Sequence, residues 1–150
     1  MRRSIPCIVL CAVLALAGCG DSGSSSGEKP KAVVAVPKGP PPKKLVIKEL
    51  EKGTGKATVK AGDRATVRWH GILYKSGKEF YSPSKTDGPF TFQVNVGQVI
   101  RGWDLGMRGM RAGGTRELII PPSLAYGSEG STYVPPNETL IYVVHLLAIK

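Results

Sequence analysis

From residue 45 onward, apolar and polar positions fall into short runs punctuated by glycine and proline. Residues 45–53 (LVIKELEKG) begin as a strand that runs out at Gly53. Residues 64–74 (RATVRWHGILY) are rich in the β-branched and aromatic side chains that suit a pleated, half-buried surface. Ser76-Gly77, with Lys75 and Lys78 on either side, marks a turn after that strand. Residues 90–96 (FTFQVNV) alternate with a period of two, the signature of a strand with one face covered. Residues 115–120 (TRELII) predict another strand, stopped by Pro121-Pro122. Residues 139–149 (TLIYVVHLLAI) are apolar on both faces, as a helix or a strand covered on both sides would be; their β-branched content favours the strand. Only residues 99–107 (VIRGWDLGM) ask for a helix, a short one flanked by glycine. The pattern predicts an α+β domain of about 106 residues, an antiparallel β-sheet with one short α-helix.

The first 44 residues read differently. Arg2 and Arg3 precede an apolar run over residues 5–18, too short for a membrane-crossing helix of roughly 20 residues. A basic start, an apolar core and a small-residue site make a secretory signal peptide. Leu16-Ala17-Gly18-Cys19 resembles the lipobox of bacterial lipoproteins. That resemblance implies diacylglyceryl transfer to the Cys19 sulfur and cleavage just before it, so residues 1–18 are expected to be a signal peptide. Two acyl chains suffice for stable anchoring, and the expected localisation is a lipid-anchored protein facing the periplasm or the cell exterior. Cys7 and Cys11 leave with the signal, so the mature chain holds no free thiol. Residues 19–44 follow as the lipidated cysteine and a linker, Gly/Ser-rich and then Pro/Lys-rich, with too little apolar content for a core. Residues 32–36 (AVVAV) are its one apolar patch, enough for a short edge strand.

Of 150 residues, 21 are Lys or Arg and 11 Asp or Glu, a net charge of +10 that raises nucleic acid or an anionic surface as partners. The charge is dispersed: two units lie in the signal, three in the linker and five in the domain. No run combines dense basic residues with interleaved aromatics, so no nucleic-acid partner is expected. His70 and His145 lie far apart without neighbouring ligand types, so no metal site is expected, and His145 reads as a structural residue. The chain lacks a GxSxG elbow, and GMRAGG (109–114) lacks the Gly-Lys-Ser/Thr ending of a phosphate loop. Asp104, Glu117 and Glu129 form no obvious pair for acid–base hydrolysis.

What remains is a set of large rings and apolar chains spread over several elements: Trp69, Phe80, Phe90, Phe92, Val99, Ile100, Trp103, Tyr126, Tyr133 and Tyr142. They fit a plain core, the better reading for Phe92, or the lining of a cavity beside the helix; periodicity does not separate the two. The strings that carry them are GDRATVRWHGILYKSGKEF (62–80), PFTFQVNVGQVIRGWDLGMRGMRAGG (89–114), ELIIPPSLAYG (117–127) and VPPNETLIYVVHLLAI (134–149). In this order, with Gly97-Gln98-Val99-Ile100-Arg101-Gly102-Trp103-Asp104 at the centre, residues 45–150 resemble the FKBP-type peptidyl-prolyl cis-trans isomerases.

The resemblance implies an antiparallel sheet curved around one short helix and an isomerase of X–Pro bonds, working without a cofactor on Pro-containing polypeptides of exported proteins. It also implies macrolide inhibitors as ligands; nothing demands more than a monomer. By resemblance Trp103 is the pocket floor, and Trp69 (usually Tyr in the family) a wall, with Phe80, Phe90, Val99 and Tyr142 around it. The Ile100 N–H and the Tyr126 hydroxyl hydrogen-bond substrate carbonyls, and Tyr133 and Val134 lie on the overhanging loop. Tyr81 stands where the family has Asp, and Thr86 where some members have Arg, so the polar pocket edge departs from the pattern. Tyr81 is accordingly the feature behind an alternative expectation, a catalytically weak binding or chaperone module for Pro-containing or unfolded chains.

Overall fold

The computed structural model describes residues 35–81 and 88–150. Cys19, the signal segment, most of the linker and Thr86 lie outside the described residues, as does the Tyr81 side chain. In chain order the elements are β1 (Val46–Glu51), β2 (Arg64–Leu73), β3 (Glu79–Tyr81), β4 (Phe90–Gln93), α1 (Arg101–Gly106), β5 (Thr115–Ile120), a single 3-10 turn (Pro122–Leu124) and β6 (Leu140–Ile149). The sheet runs β1-β5-β6-β2-β3, with β4 also paired to β2, and every pairing is antiparallel.

The strand that is apolar on both faces is the central one. β6 pairs with β5 on one side and β2 on the other. Successive strand residues point to opposite faces, so Leu140, Tyr142, Val144 and Leu146 join the main core with Trp103 and Met107. Ile141 joins a second cluster on the other face with Ile72, Tyr74 and Ile119. Met107 and Met110, just after α1, are fully buried in the main core.

The helix is shorter than residues 99–107. Val99 precedes it, and Ile100 is its N-cap, with an extended backbone (φ −58°, ψ 146°). Residues 94–96 are not strand either: β4 ends at Gln93 and a turn follows, with Asn95 at φ 65°. Polar partners hold this turn to the helix. The Asp104 carboxylate accepts from the Asn95 N–H at 2.6 Å, and Arg108 Nη2 donates to Asn95 Oδ1 at 2.7 Å. At the other end of α1, Arg116 of β5 reaches across and donates from Nη1 to the Gly106 and Arg108 carbonyls, at 2.9 and 2.8 Å. The Gly106 carbonyl is one that the helix end leaves unpaired, and Arg108 lies just past that end. The helix sits close to β5 because Gly102 faces Ile120 and Gly106 faces Leu118; a Cβ at either position would collide with that side chain.

The last part of the expected linker lies against the domain. Residues 35–45 carry no helix or strand, yet the Val36 side chain rests on Gly77. The Tyr74 hydroxyl donates to the Pro40 carbonyl at 3.5 Å. This segment therefore touches the β2–β3 turn beside the second apolar cluster.

Candidate active site

One end of the main core opens as a pocket of about 800 Å³. Trp103 projects into it from α1 and is 4% exposed. Three rings meet it within 5.5 Å: Tyr142 at 5.2 Å and 87°, Trp69 at 5.5 Å and 89°, and Phe92 at 5.5 Å and 59°. Edge-to-face geometry places positive ring edges on negative faces, adding about 0.5–1.5 kcal/mol per pair beyond burial. Trp69 also meets Tyr142 at 5.4 Å, and Phe80 meets Tyr142 at 5.7 Å and 85°.

Sheet register brings these rings together. Gly71 of β2 stands opposite Tyr142 of β6 and Tyr81 of β3. A Cβ on Gly71 would sit 2.8 Å from the Phe80 ring and 3.1 Å from Tyr142. Glycine there lets the two rings close over the strand.

The structure brings Trp69, Phe80, Phe90, Val99, Ile100, Trp103, Tyr126, Tyr133 and Tyr142 to this pocket. Phe92 is buried in the core beneath it. Val134 is 3% exposed and belongs to the main core, while Tyr133 beside it is 62% exposed and lines the pocket. Adjacent loop residues point opposite ways, and the apolar Val134 takes the inward one. Tyr81 pairs with Gly71 through the backbone. Gly88, Pro89, Gln98 and Ser131 also line the pocket, though sequence reasoning did not single them out. Gln98 was within the family-like string; its side chain accepts from the Gln93 N–H at 2.8 Å, a loop contact with no periodic signal.

Polar chemistry at the pocket is sparse. Among the described residues no charged side chain lines it, and the Ile100 N–H, at the start of α1, has no acceptor. Among the described residues the buried Trp103 indole N–H has no hydrogen-bond partner. Burial first, and the electrostatic effect of the neighbouring Tyr126 second, push Tyr142 well above the ordinary tyrosine range. His145 lies elsewhere, with Nδ1 2.9 Å from the Thr115 hydroxyl. Among the described residues no three His, Cys, Asp or Glu side chains cluster as metal ligands.

A family model described as FKBP-type peptidyl-prolyl cis-trans isomerase matches residues 55–147. The chain belongs to this family. Its relatives include the FK506-binding protein of Streptomyces anulatus, 44% identical over 124 residues, covering 81% of this chain and 98% of that protein. The FK506-binding protein of Neisseria meningitidis serogroup B is 43% identical over 106 residues, covering 70% of this chain and 95% of that protein. Among solved structures, FkpA from Escherichia coli superposes with a TM-score of 0.64 at 40% identity, covering 71% of this chain and 48% of that one. The protein is thus an FKBP-type peptidyl-prolyl cis-trans isomerase, and its antiparallel sheet with one short helix is the fold of that family.

Proposed function

We propose that this isomerase accelerates rotation about X–Pro bonds of exported polypeptides outside the cytoplasm, held to a membrane by a lipid on Cys19, and so assists their folding. The observation that carries the site is the ring-walled pocket above Trp103. Amide resonance sets a rotation barrier of about 18–20 kcal/mol, while the two X–Pro isomers differ by only about 0.5–1 kcal/mol. No covalent bond has to break. The twisted amide is less dipolar than the planar one, so an apolar wall favours it over the planar ground state.

In this reading the substrate proline ring rests on Trp103, with Trp69, Phe80, Phe90, Val99 and Tyr142 as walls and Tyr133 at the mouth. The unpaired Ile100 N–H and the Tyr126 hydroxyl donate to substrate carbonyls and hold them while the bond turns. The same pocket takes macrolides of the FK506 type, as the names of the two bacterial relatives say of those proteins. Export and anchoring are supported by Arg2, Arg3, the apolar run and Leu16-Ala17-Gly18-Cys19.

The test is the cis-to-trans rate of an X–Pro peptide with and without the protein. Acceleration is expected, with kcat/KM reduced about 3- to 10-fold by Tyr126→Phe, the value of one hydrogen bond. Peptide binding without acceleration would favour the binding-module reading, for which Tyr81 in place of the family Asp speaks. Cys19→Ser should release the protein from membranes at ordinary salt; retention there would overturn the lipid anchor.

A further inference from the structure

Positive charge that is dispersed along the chain is gathered by the fold. The loop between β1 and β2 carries Lys52, Lys56 and Lys60, and β2 opens on Arg64. Against this loop lies the segment after α1, with Arg108 and Arg111. The Val59 N–H donates to the Met110 carbonyl and the Gly109 N–H to the Val59 carbonyl, both at 2.9 Å. Arg111 Nη1 donates to the Gly55 and Lys56 carbonyls, also at 2.9 Å. Lys150 joins them, because its backbone N–H and carbonyl pair with Arg64 at 2.8 and 2.6 Å. All seven basic residues are exposed.

The carboxylates lie elsewhere. Within residues 52–64, 108–111 and 150 Asp63 is the one acidic residue, and it accepts from the Lys60 N–H at 2.8 Å. The remainder of residues 45–150 holds seven cations and eight carboxylates, so the positive excess of the domain sits at this end. Elsewhere Lys48, Lys75 and Arg116 face carboxylates at 2.8, 3.5 and 3.9 Å. Among the described residues none of the seven has such a partner. The strands run from this end to the pocket: β2 passes from Arg64 to Trp69, and β6 from Tyr142 to Ile149, with Lys150 next. Eight residues of extended chain set Tyr142 about 26 Å from Lys150.

Two features say what this end meets. Residues 52–64 and 108–111 contain no aromatic side chain, so nucleic-acid bases find no ring to stack on. None of the seven lines the pocket above Trp103 or the smaller cavity of about 270 Å³ beside Tyr133, so no single shaped ligand is framed by them. Exposed cations on loops and strand ends suit a broad field of phosphates, and an anionic lipid surface attracts each Lys or Arg that comes within a screening length of it. We propose that this end of the domain docks on anionic lipid headgroups and holds the isomerase pocket turned away from the bilayer, toward its substrates. This docking rests on the membrane reading above and adds the face that meets the lipid. The anchor alone fixes no orientation, because the sixteen residues that separate Ala35 from Cys19 reach at most about 55 Å.

The experiment places the full, lipid-bearing chain on vesicles of phosphatidylcholine, alone or with phosphatidylglycerol, that carry an energy-transfer acceptor in the headgroup layer. Ala61→Cys takes a donor label at the basic end, and Ser128→Cys, two residues past Tyr126, takes it at the pocket end. With phosphatidylglycerol at about 0.05 M salt, transfer from position 61 should exceed transfer from position 128. The difference should vanish on pure phosphatidylcholine, and also at about 1 M salt, where the screening length falls to about 3 Å. Lys56→Glu, Lys60→Glu and Arg64→Glu together should abolish it. Arg68→Glu, Lys78→Glu and Arg101→Glu, an equal change in net charge on exposed residues elsewhere, should leave it in place. Equal transfer from the two positions on phosphatidylglycerol, a preference that persists on pure phosphatidylcholine, or loss with both triple variants overturns the inference. A chain that fails to float with pure phosphatidylcholine vesicles overturns the lipid anchor instead, and the transfer measured on phosphatidylglycerol still decides the role of the basic end.

Discussion

Tyr142 couples the pocket to pH through stability. Its neutral form is favoured in the folded chain, because burial first and Tyr126 second raise its pKa above the ordinary value of 10.0. The associated stability is fully present below pH 10 and is lost as pH rises beyond it, since the unfolded chain releases the proton first. Each pH unit past 10 should cost about 1.4 kcal/mol. Thermal midpoints measured from pH 9 to 11 should therefore fall more steeply for the wild type than for Tyr142→Phe. At Gly71 the constraint is steric. Gly71→Ala drives a Cβ against the Phe80 ring, and the overpacking should destabilise the domain by about 1–3 kcal/mol. Denaturant titration gives the loss, and the peptide assay should show a weaker kcat/KM because Phe80 and Tyr142 must separate.

At the level of elements, the segment containing Val36 and Pro40 behaves as part of the domain. It covers Gly77 and accepts the Tyr74 hydroxyl. A chain beginning at Leu45 should be less stable than one beginning at Ala32 by about 0.5–1.5 kcal/mol, the worth of one hydrogen bond, since Val36 stays largely exposed. Chemical denaturation of the two chains measures this, with isomerase activity unchanged because the segment does not line the pocket. Proline-rich composition reads as a linker because it lacks periodicity, and no pattern announces a strap held by one tyrosine and one valine. β2, β5 and β6 were legible because each carries a sustained β-branched run. α1 was legible as a helix but not in length, since Ile100 takes an extended backbone that side-chain pattern does not encode. β4 stops early because Asp104 captures the Asn95 N–H, a contact between separate elements. β3, three residues long, is too short for any period to register. The pocket rings could be enumerated from the sequence, but the register that opposes Gly71 to Tyr142 separates lining from core.

Across the whole molecule, charge and catalytic site are kept apart. The chain carries +10 overall, and ion pairs such as Lys48–Glu117 at 2.8 Å and Lys75–Glu138 at 3.5 Å involve no residue that lines the pocket. For an uncharged peptide, kcat/KM should change less than about twofold between roughly 0.05 and 0.5 M salt, because screening acts on charges and the described lining has none. A steep decline would instead mean that surface charge draws the substrate in. The burial of Met107 and Met110 has a consequence of another kind. From residue 20 onward the sequence holds no cysteine, and these two are its only methionines. An oxidant in solution reaches no sulfur of the folded domain until the chain opens around the helix. Methionine sulfoxide in an aged sample would then act as a tally of opening events, recording in a stable chemical mark how often each molecule had come apart.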